Sequence, residues 1–250
     1  MSKNQKKVWI TGASSGIGKA VAEKFASEGW KVAVSARTKA VLEQMSNNQN
    51  MFSFPMDVTD QTQIKKSFDN ILTEFGDLDL CIFSSGTYDP KDESKINSDK
   101  IRNVINVNFF GVIDCVKVVE DHFKNKKSGH ISIVSSIAGY RGLPNSSGYG
   151  PSKAALTNFA ESIYFDFKKY GVRVSIISPG FIKTPLTDKN EFPMPFLKTP
   201  DYAAEKIFNG LIKSNVFEVH FPKGLTLTLK FLRILPYKLY LFLVDKLVKR

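Results

Sequence analysis

The sequence predicts a single α/β domain, a doubly wound parallel sheet with helices on both faces. Two observations predict it. Seven short β-branched or apolar runs recur along the chain, and segments of helix length separate most of them. One such segment, from Gly16 to Glu28, carries Ile17, Val21 and Phe25 at i, i+4 and i+8, which gives it one apolar face. A helix between consecutive strands makes a right-handed crossover and leaves the strands parallel, with both sheet faces covered. No internal repeat, low-complexity tract or Pro/Gly/Ser-rich linker divides the chain.

In order, the strand-like runs are Lys7–Thr11, Lys31–Ala36, Met51–Met56, Leu78–Phe83, His130–Ser135, Val172–Ile177 and Val216–Phe221. They place one domain over residues 1–221 and a tail of different character over 222–250. A chain of 250 residues buries about 70–75% of its unfolded surface and needs no metal or disulfide to hold it. With 42% hydrophobic and 24% charged residues, disordered and fibrous classes are excluded. Cys81 and Cys115 have apolar neighbours and no CxxC spacing, so both are expected as buried, inert thiols. The N-terminal residues show no signal-peptide pattern, and no run reaches the roughly 18 apolar residues of a membrane span, so a cytoplasmic protein is expected. His122, His130 and His220 lie far apart without metal-ligand spacing; no metal is expected, and the three are placed at the surface or at strand edges.

Chemistry enters at Thr11–Gly18, TGASSGIG, between the first strand and the first helix. Gly12, Gly16 and Gly18 let the backbone turn sharply and approach a pyrophosphate at the positive end of the helix, with Ser14, Ser15 and Ile17 between them. The same residues fit the G-x-S-x-G elbow of a serine hydrolase with Ser14 as nucleophile, but no upstream strand or loop supplies an oxyanion-hole amide. At the end of strand two, where NAD-binding sites offer an acid to the ribose 2′-hydroxyl, Val34–Thr38 offers Arg37 instead. A guanidinium grips a 2′-phosphate through charge-assisted hydrogen bonds, so the cofactor expected is NADP(H). Tyr149-Gly150-Pro151-Ser152-Lys153 opens the helix after strand five. Residues i and i+4 lie about 5–6 Å apart on one helix face, so the Lys153 ammonium favours the Tyr149 phenolate and makes its hydroxyl a usable proton donor. Tyr-x-x-x-Lys is common by chance; Ser136, at the end of strand five, adds a hydroxyl for the same substrate oxygen. Gly12, Arg37, Asp57, Gly86, Ser136 and Pro179-Gly180 all fall at carboxyl ends of predicted strands, the edge where open parallel sheets bind ligands.

With these segments the chain resembles the short-chain dehydrogenase/reductase family up to about residue 215. The matching segments are TGASSGIG, MDVTD around Asp57-Val58, NVNFFG around Asn108, IVSSIAG around Ser136, YGPSK and PGFIKTP from Pro179. The resemblance implies a Rossmann-type fold, a nicotinamide cofactor and a catalytic set of Asn108, Ser136, Tyr149 and Lys153. In it Tyr149 is the general acid, Ser136 clamps the carbonyl, and Lys153 holds the ribose and depresses the Tyr149 pKa. Asn108 holds a water that relays protons to Lys153. Asp57 and Val58 meet the adenine, while Ile182 and Thr184 meet the nicotinamide amide and the phosphate side. One segment departs: the family's Asn-Asn-Ala-Gly is Phe83-Ser84-Ser85-Gly86 here, which predicts altered bracing of the sheet rather than lost catalysis. The activity expected is hydride transfer between nicotinamide and a carbonyl or secondary alcohol, in a homo-oligomer (dimer or tetramer). A non-catalytic NADP-binding scaffold is the alternative, against which the intact Ser136/Tyr149/Lys153 set argues.

Net charge is +11 with a pI near 9.5, which suits an anionic ligand, an anionic membrane or nucleic acid. Lysines are scattered and no nucleic-acid motif is present, so no nucleic-acid partner is expected. The one basic concentration is the tail, also rich in Leu, Phe and Tyr, whose Leu239–Val244 run is too short to span a bilayer. It suits an interfacial helix on anionic lipid, a pocket cover or a subunit contact. With Phe192, Met194, Phe196 and Leu197 of the Phe181–Pro200 segment as further pocket wall, a lipophilic substrate is expected.

Overall fold

A computed structural model describes residues 5–90 and 95–248. Its seven strands are β1 (Lys7–Thr11), β2 (Lys31–Ser35), β3 (Met51–Ser53), β4 (Leu80–Phe83), β5 (Gly129–Val134), β6 (Val172–Pro179) and β7 (Glu218–Phe221). They form one sheet in the order β3-β2-β1-β4-β5-β6-β7, with every neighbouring pair parallel. That is the doubly wound order, which reverses at β1/β4, with β7 added at one edge. The described helices are α1 (Gly16–Ser27), α2 (Lys39–Met45), α3 (Gln61–Phe75), α4 (Ser98–Ile105), α5 (Gly111–Lys126), α6 (Tyr149–Lys168), α7 (Pro200–Phe208), α8 (Lys223–Ile234) and α9 (Tyr237–Val248). A π-helical turn, Asn106–Phe110, joins α4 to α5.

The sheet is buried on both faces, and β1 shows how alternation divides its side chains. Val8 and Ile10 enter the core that holds Val21 and Phe25 of α1 and Phe208 of α7. Trp9 enters the opposite core with Phe68 of α3, Val119 of α5 and Leu156 of α6. The Trp9 indole donates to Ser35 Oγ at 2.9 Å, which satisfies its buried polar atom. Local chemistry sets the helix ends. Asp60 caps α3 by accepting from the Thr62 and Gln63 amides, and Gly76 ends it in the left-handed conformation.

Several placements differ from those the sequence predicts, β4 and β7 among them, which start at Leu80 and Glu218 rather than Leu78 and Val216. β3 ends at Ser53, although the Phe54 and Met56 amides still donate to Val34 and Ala36; Pro55 between them stands at the outward position of this edge strand, where no amide is needed. β6 runs on to Pro179, where it pairs with Phe221 of β7. His130 is neither at the surface nor at an edge: it is 5% exposed on central strand β5, beside Ser175 Oγ at 2.8 Å. Burial pushes its pKa down to about 3, so it stays neutral. Cys81 and Cys115 are buried, and desolvation pushes both thiols up.

After β7 the chain returns to the loop that follows β5. Leu225 of α8 packs with Ile137 and Tyr140. Arg141 Nη1 donates to three carbonyls at the end of α8, those of Leu232, Arg233 and Leu235, at 3.0, 3.2 and 2.7 Å. A cation there meets the negative end of the helix dipole. The same guanidinium lies 3.9 Å from the Tyr240 ring centroid, and Tyr240 Oη donates to Gly142 O at 2.6 Å. Among the described residues no helix is long and apolar enough to cross a membrane.

Candidate active site

The carboxyl edge of the sheet opens into a cleft of about 380 Å³. Its floor is the turn between β1 and α1, where Gly12 and Gly16 take φ of +67° and +54°. A Cβ on Gly12 would lie 2.8 Å from Ser84 O, and one on Gly18 would lie 2.2 Å from Gly12 O, so neither position accepts a side chain. Ser15 makes no side-chain cap, and the first turn of α1 carries no acid, which leaves its positive end available to an anion. These features fit a dinucleotide pyrophosphate. The Ser84 and Ser85 amides donate to Thr11 Oγ1 at 3.2 and 3.4 Å. The main chain supplies that brace to β1, so it does not depend on amide side chains at 84 and 85. Arg37 stands exposed beyond β2 and forms no ion pair among the described residues. Asp57, beyond β3 at the same end, accepts at Oδ1 from the Thr59 amide and hydroxyl at 2.9 and 2.8 Å.

On the other side lie the ends of β5 and β6 and the start of α6. Ser136 caps a short turn, accepting from the Ala138 amide at 3.2 Å. Tyr149 is the first residue of α6, and Lys153 follows one turn later with its ammonium 5.6 Å from the Tyr149 ring centroid. Lys153 is 4% exposed, and its Nζ donates to Val134 O at 2.9 Å. Burial pulls its pKa down from the ordinary lysine value to about 8. Asn108 is fully buried in the π turn behind them. Its Oδ1 accepts from the Thr87 amide at 2.7 Å, while Nδ2 donates to Thr87 O at 3.0 Å and Ser152 Oγ at 3.1 Å. π turns widen a helix by one residue and recur at functional sites. Here the turn carries a carboxamide that ties the loop after β4 to α6.

Residues 6–193 match the sequence profile described as short chain dehydrogenase. The chain belongs to the short-chain dehydrogenase family. It is similar to an uncharacterized oxidoreductase of Myxococcus xanthus, 32% identical over 236 residues that cover 92% of this chain and 93% of the relative. It is 30% identical to the 3-oxoacyl-acyl-carrier-protein reductase FabG of Salmonella typhimurium over 75% of this chain and 78% of that one. The mouse dehydrogenase/reductase SDR family member 7 is 31% identical, and the aligned part spans 57% of its length. Among solved structures, ElxO with NADP bound superposes with a TM-score of 0.77 at 26% identity, covering 90% of this chain and 99% of that one. A short-chain dehydrogenase from Streptomyces avermitilis reaches 0.81 at 23% identity, covering 92% of each chain. This member of the family is thus an α/β oxidoreductase of a class that uses nicotinamide cofactors.

The cleft brings together nearly every residue singled out in the sequence of this short-chain dehydrogenase. Gly12, Ser14, Ser15, Gly16, Ile17 and Gly18 line it at one end, and Arg37, Asp57 and Val58 beside them. Gly86, Ser136, Tyr149, Lys153, Pro179, Gly180, Ile182 and Thr184 complete the lining. Asn108 lies behind the wall. Ile182 is 1% exposed, its side chain sits in the core, and its carbonyl accepts from Thr187 Oγ1 at 2.5 Å. Phe192, Met194, Phe196 and Leu197 do not line the cleft, and the two phenylalanines and the leucine are exposed outside it. No sequence signal marks Tyr88, whose ring lies 4.7 Å from that of Tyr149 at a tilt of 44°, or Lys189, which lines the cleft and pairs with Asp89 at 3.1 Å. Both contacts join loops far apart in the chain, and no local pattern marks them.

Proposed function

We propose that the protein reduces a lipophilic carbonyl compound with NADPH, or oxidises the matching secondary alcohol. The observation that carries this is the meeting of Ser136, Tyr149 and Lys153 at one end of a cleft whose other end offers a glycine turn, a free helix N-terminus and Arg37. When bound, the nicotinamide supplies or accepts the hydride. The chain's own groups handle the oxygen. Ser136 and Tyr149 hold the substrate oxygen, and Tyr149 Oη gives it a proton as the carbonyl is reduced. The Lys153 ammonium beside the ring favours the phenolate that remains, and it would donate to the ribose hydroxyls of a bound cofactor. Asn108 fixes Thr87, and with it the Gly86 wall: a Cβ on Gly86 would meet Asn108 Oδ1 at 3.5 Å and Lys153 Nζ at 3.6 Å. In this reading residues 1–221 carry the catalytic unit and 222–250 form an appended tail.

Arg37 supports NADP(H) over NAD(H). Among the described residues the one carboxylate lining the cleft is that of Asp57, beyond β3, so none stands at the end of β2, where an NAD site offers its acid to the ribose. No histidine lines the cleft, which leaves Ser14 without the base a hydrolase elbow requires. Pro185 and Leu186 give the cleft apolar surface at the substrate end. Each added methylene buried there is worth about 0.8 kcal/mol. NADPH consumption against ketones graded by chain length tests the proposal, with efficiency expected to rise along the series. Equal efficiency on short polar and long apolar ketones would contradict the lipophilic assignment, and no consumption across the panel would contradict the reductase.

A further inference from the structure

We infer that helices α8 and α9 form a docking surface for an anionic lipid membrane, with the mouth of the cleft beside it. Both faces of α8 are apolar. One, with Leu225 and Leu232, is buried against the loop after β5. On the other, Leu227, Phe231 and Ile234 recur at i, i+4 and i+7 and are 55%, 60% and 76% exposed. Tyr237, Leu241 and Phe242 of α9 continue the exposed apolar surface. This is not a loose tail that has failed to pack. Arg141 holds three carbonyls at the end of α8, and Tyr240 bonds Gly142, so the two helices are fixed and their apolar residues are presented outward.

Charge decides what fits. Lys223, Arg233, Lys238 and Lys246 are exposed on the same pair of helices, and Asp245 is the one acid between residues 222 and 246. Lys230 is already paired with Glu218. A second copy of the chain, docked by twofold symmetry, would set this cationic rim against itself. Anionic headgroups neutralise it while the Leu and Phe side chains enter the acyl boundary. The surface is also continuous with the site. Phe196 is exposed, and its ring edge approaches Gly224 at the start of α8, where a Cβ would lie 3.5 Å from Cε1. The segment leading to Phe196 begins at Thr184, Leu186 and Thr187, which line the cleft. A membrane at this face therefore lies beside the cleft, where lipophilic compounds dissolve.

The test is co-sedimentation of the full chain with phosphatidylcholine vesicles, with and without phosphatidylglycerol. Because partition needs no turnover, it can fail while the oxidoreductase proposal stands. Wild type is expected to partition onto the phosphatidylglycerol vesicles at low salt and to be released by high salt. Leu227→Gln with Phe231→Gln, which changes no charge, should weaken partition by more than tenfold. Lys238→Gln with Lys246→Gln should weaken it by about fivefold per cation removed. NADPH affinity and the thermal midpoint should not move, because all four side chains are exposed. The inference is overturned if wild type binds both vesicle types equally or neither, or if neither double variant changes partition. It is also overturned if the wild type is a dimer that Phe231→Gln separates while vesicles capture neither form.

Discussion

Replacing Asn108 with alanine removes three hydrogen bonds at one buried point. The amide oxygen lost accepts from Thr87 N at 2.7 Å, and the amide nitrogen donates to Thr87 O and Ser152 Oγ. Ser152 keeps a partner, since its hydroxyl donates to Tyr149 O at 2.7 Å. The Thr87 amide has no such alternative, and an orphaned buried donor costs about 1–3 kcal/mol. Thr87 is half-buried, so water recovers part of this, while the emptied carboxamide space adds a cavity term. The sum is about 2–4 kcal/mol, against a total stability of about 5–15 kcal/mol. Equilibrium urea unfolding without cofactor measures it, and with an m-value of about 3 kcal/mol/M the midpoint should fall by about 1 M. Asn108→Leu fills the space without restoring the bonds, so it should lose nearly as much if hydrogen bonding dominates. Turnover should fall in both, because the Gly86–Thr87 wall beside Lys153 is released. An unchanged midpoint with unchanged turnover would refute the role given to Asn108.

Two further perturbations address the cofactor end. Arg37→Asp should raise the KM for NADPH by about 100-fold or more, two charge-assisted hydrogen bonds being replaced by repulsion, and should spare or improve NADH. An unmoved preference would mean that the 2′-phosphate is bound elsewhere. Lys153 is charged below its pKa of about 8 and loses its charge above it. The kcat/KM for NADPH, which reports the free enzyme, should therefore fall as pH rises through about 8. The unfolded chain holds this proton to its ordinary value, so between the two pKa values the unfolded state binds more protons, and Lys153 alone makes stability rise with pH there. An alkaline limb near the ordinary lysine value would contradict burial as the cause.

What could be read in the sequence was what is written locally. β1 is legible because Val8, Trp9 and Ile10 sit together and both faces of the strand are buried. The glycine turn is legible because its strand and helix flank it directly, and Tyr149 with Lys153 because four residues make one helical turn. The bracing by Asn108 is not legible, because its bonds run to Thr87 and Ser152, 21 and 44 positions away. His130 reads as a surface or strand-edge residue because nothing in its neighbourhood shows that β5 is an inner strand or that Ser175 faces it. The Phe192–Leu197 stretch was read as pocket wall from its apolar composition. It lies outside the cleft because hydrophobicity does not say which surface a loop covers. Arg141 carries no local signal, because its partners, the last carbonyls of α8, lie more than 90 residues on.

The most direct measurement of the central claim is Tyr149→Phe, assayed for turnover and for NADPH binding on the same preparation. The ring stays to pack against Tyr88, and only the hydroxyl is removed. Turnover should fall by about 10²–10⁴-fold while NADPH affinity is retained. Turnover close to wild type would show that the substrate's proton comes from another group, and the account of the site would be wrong.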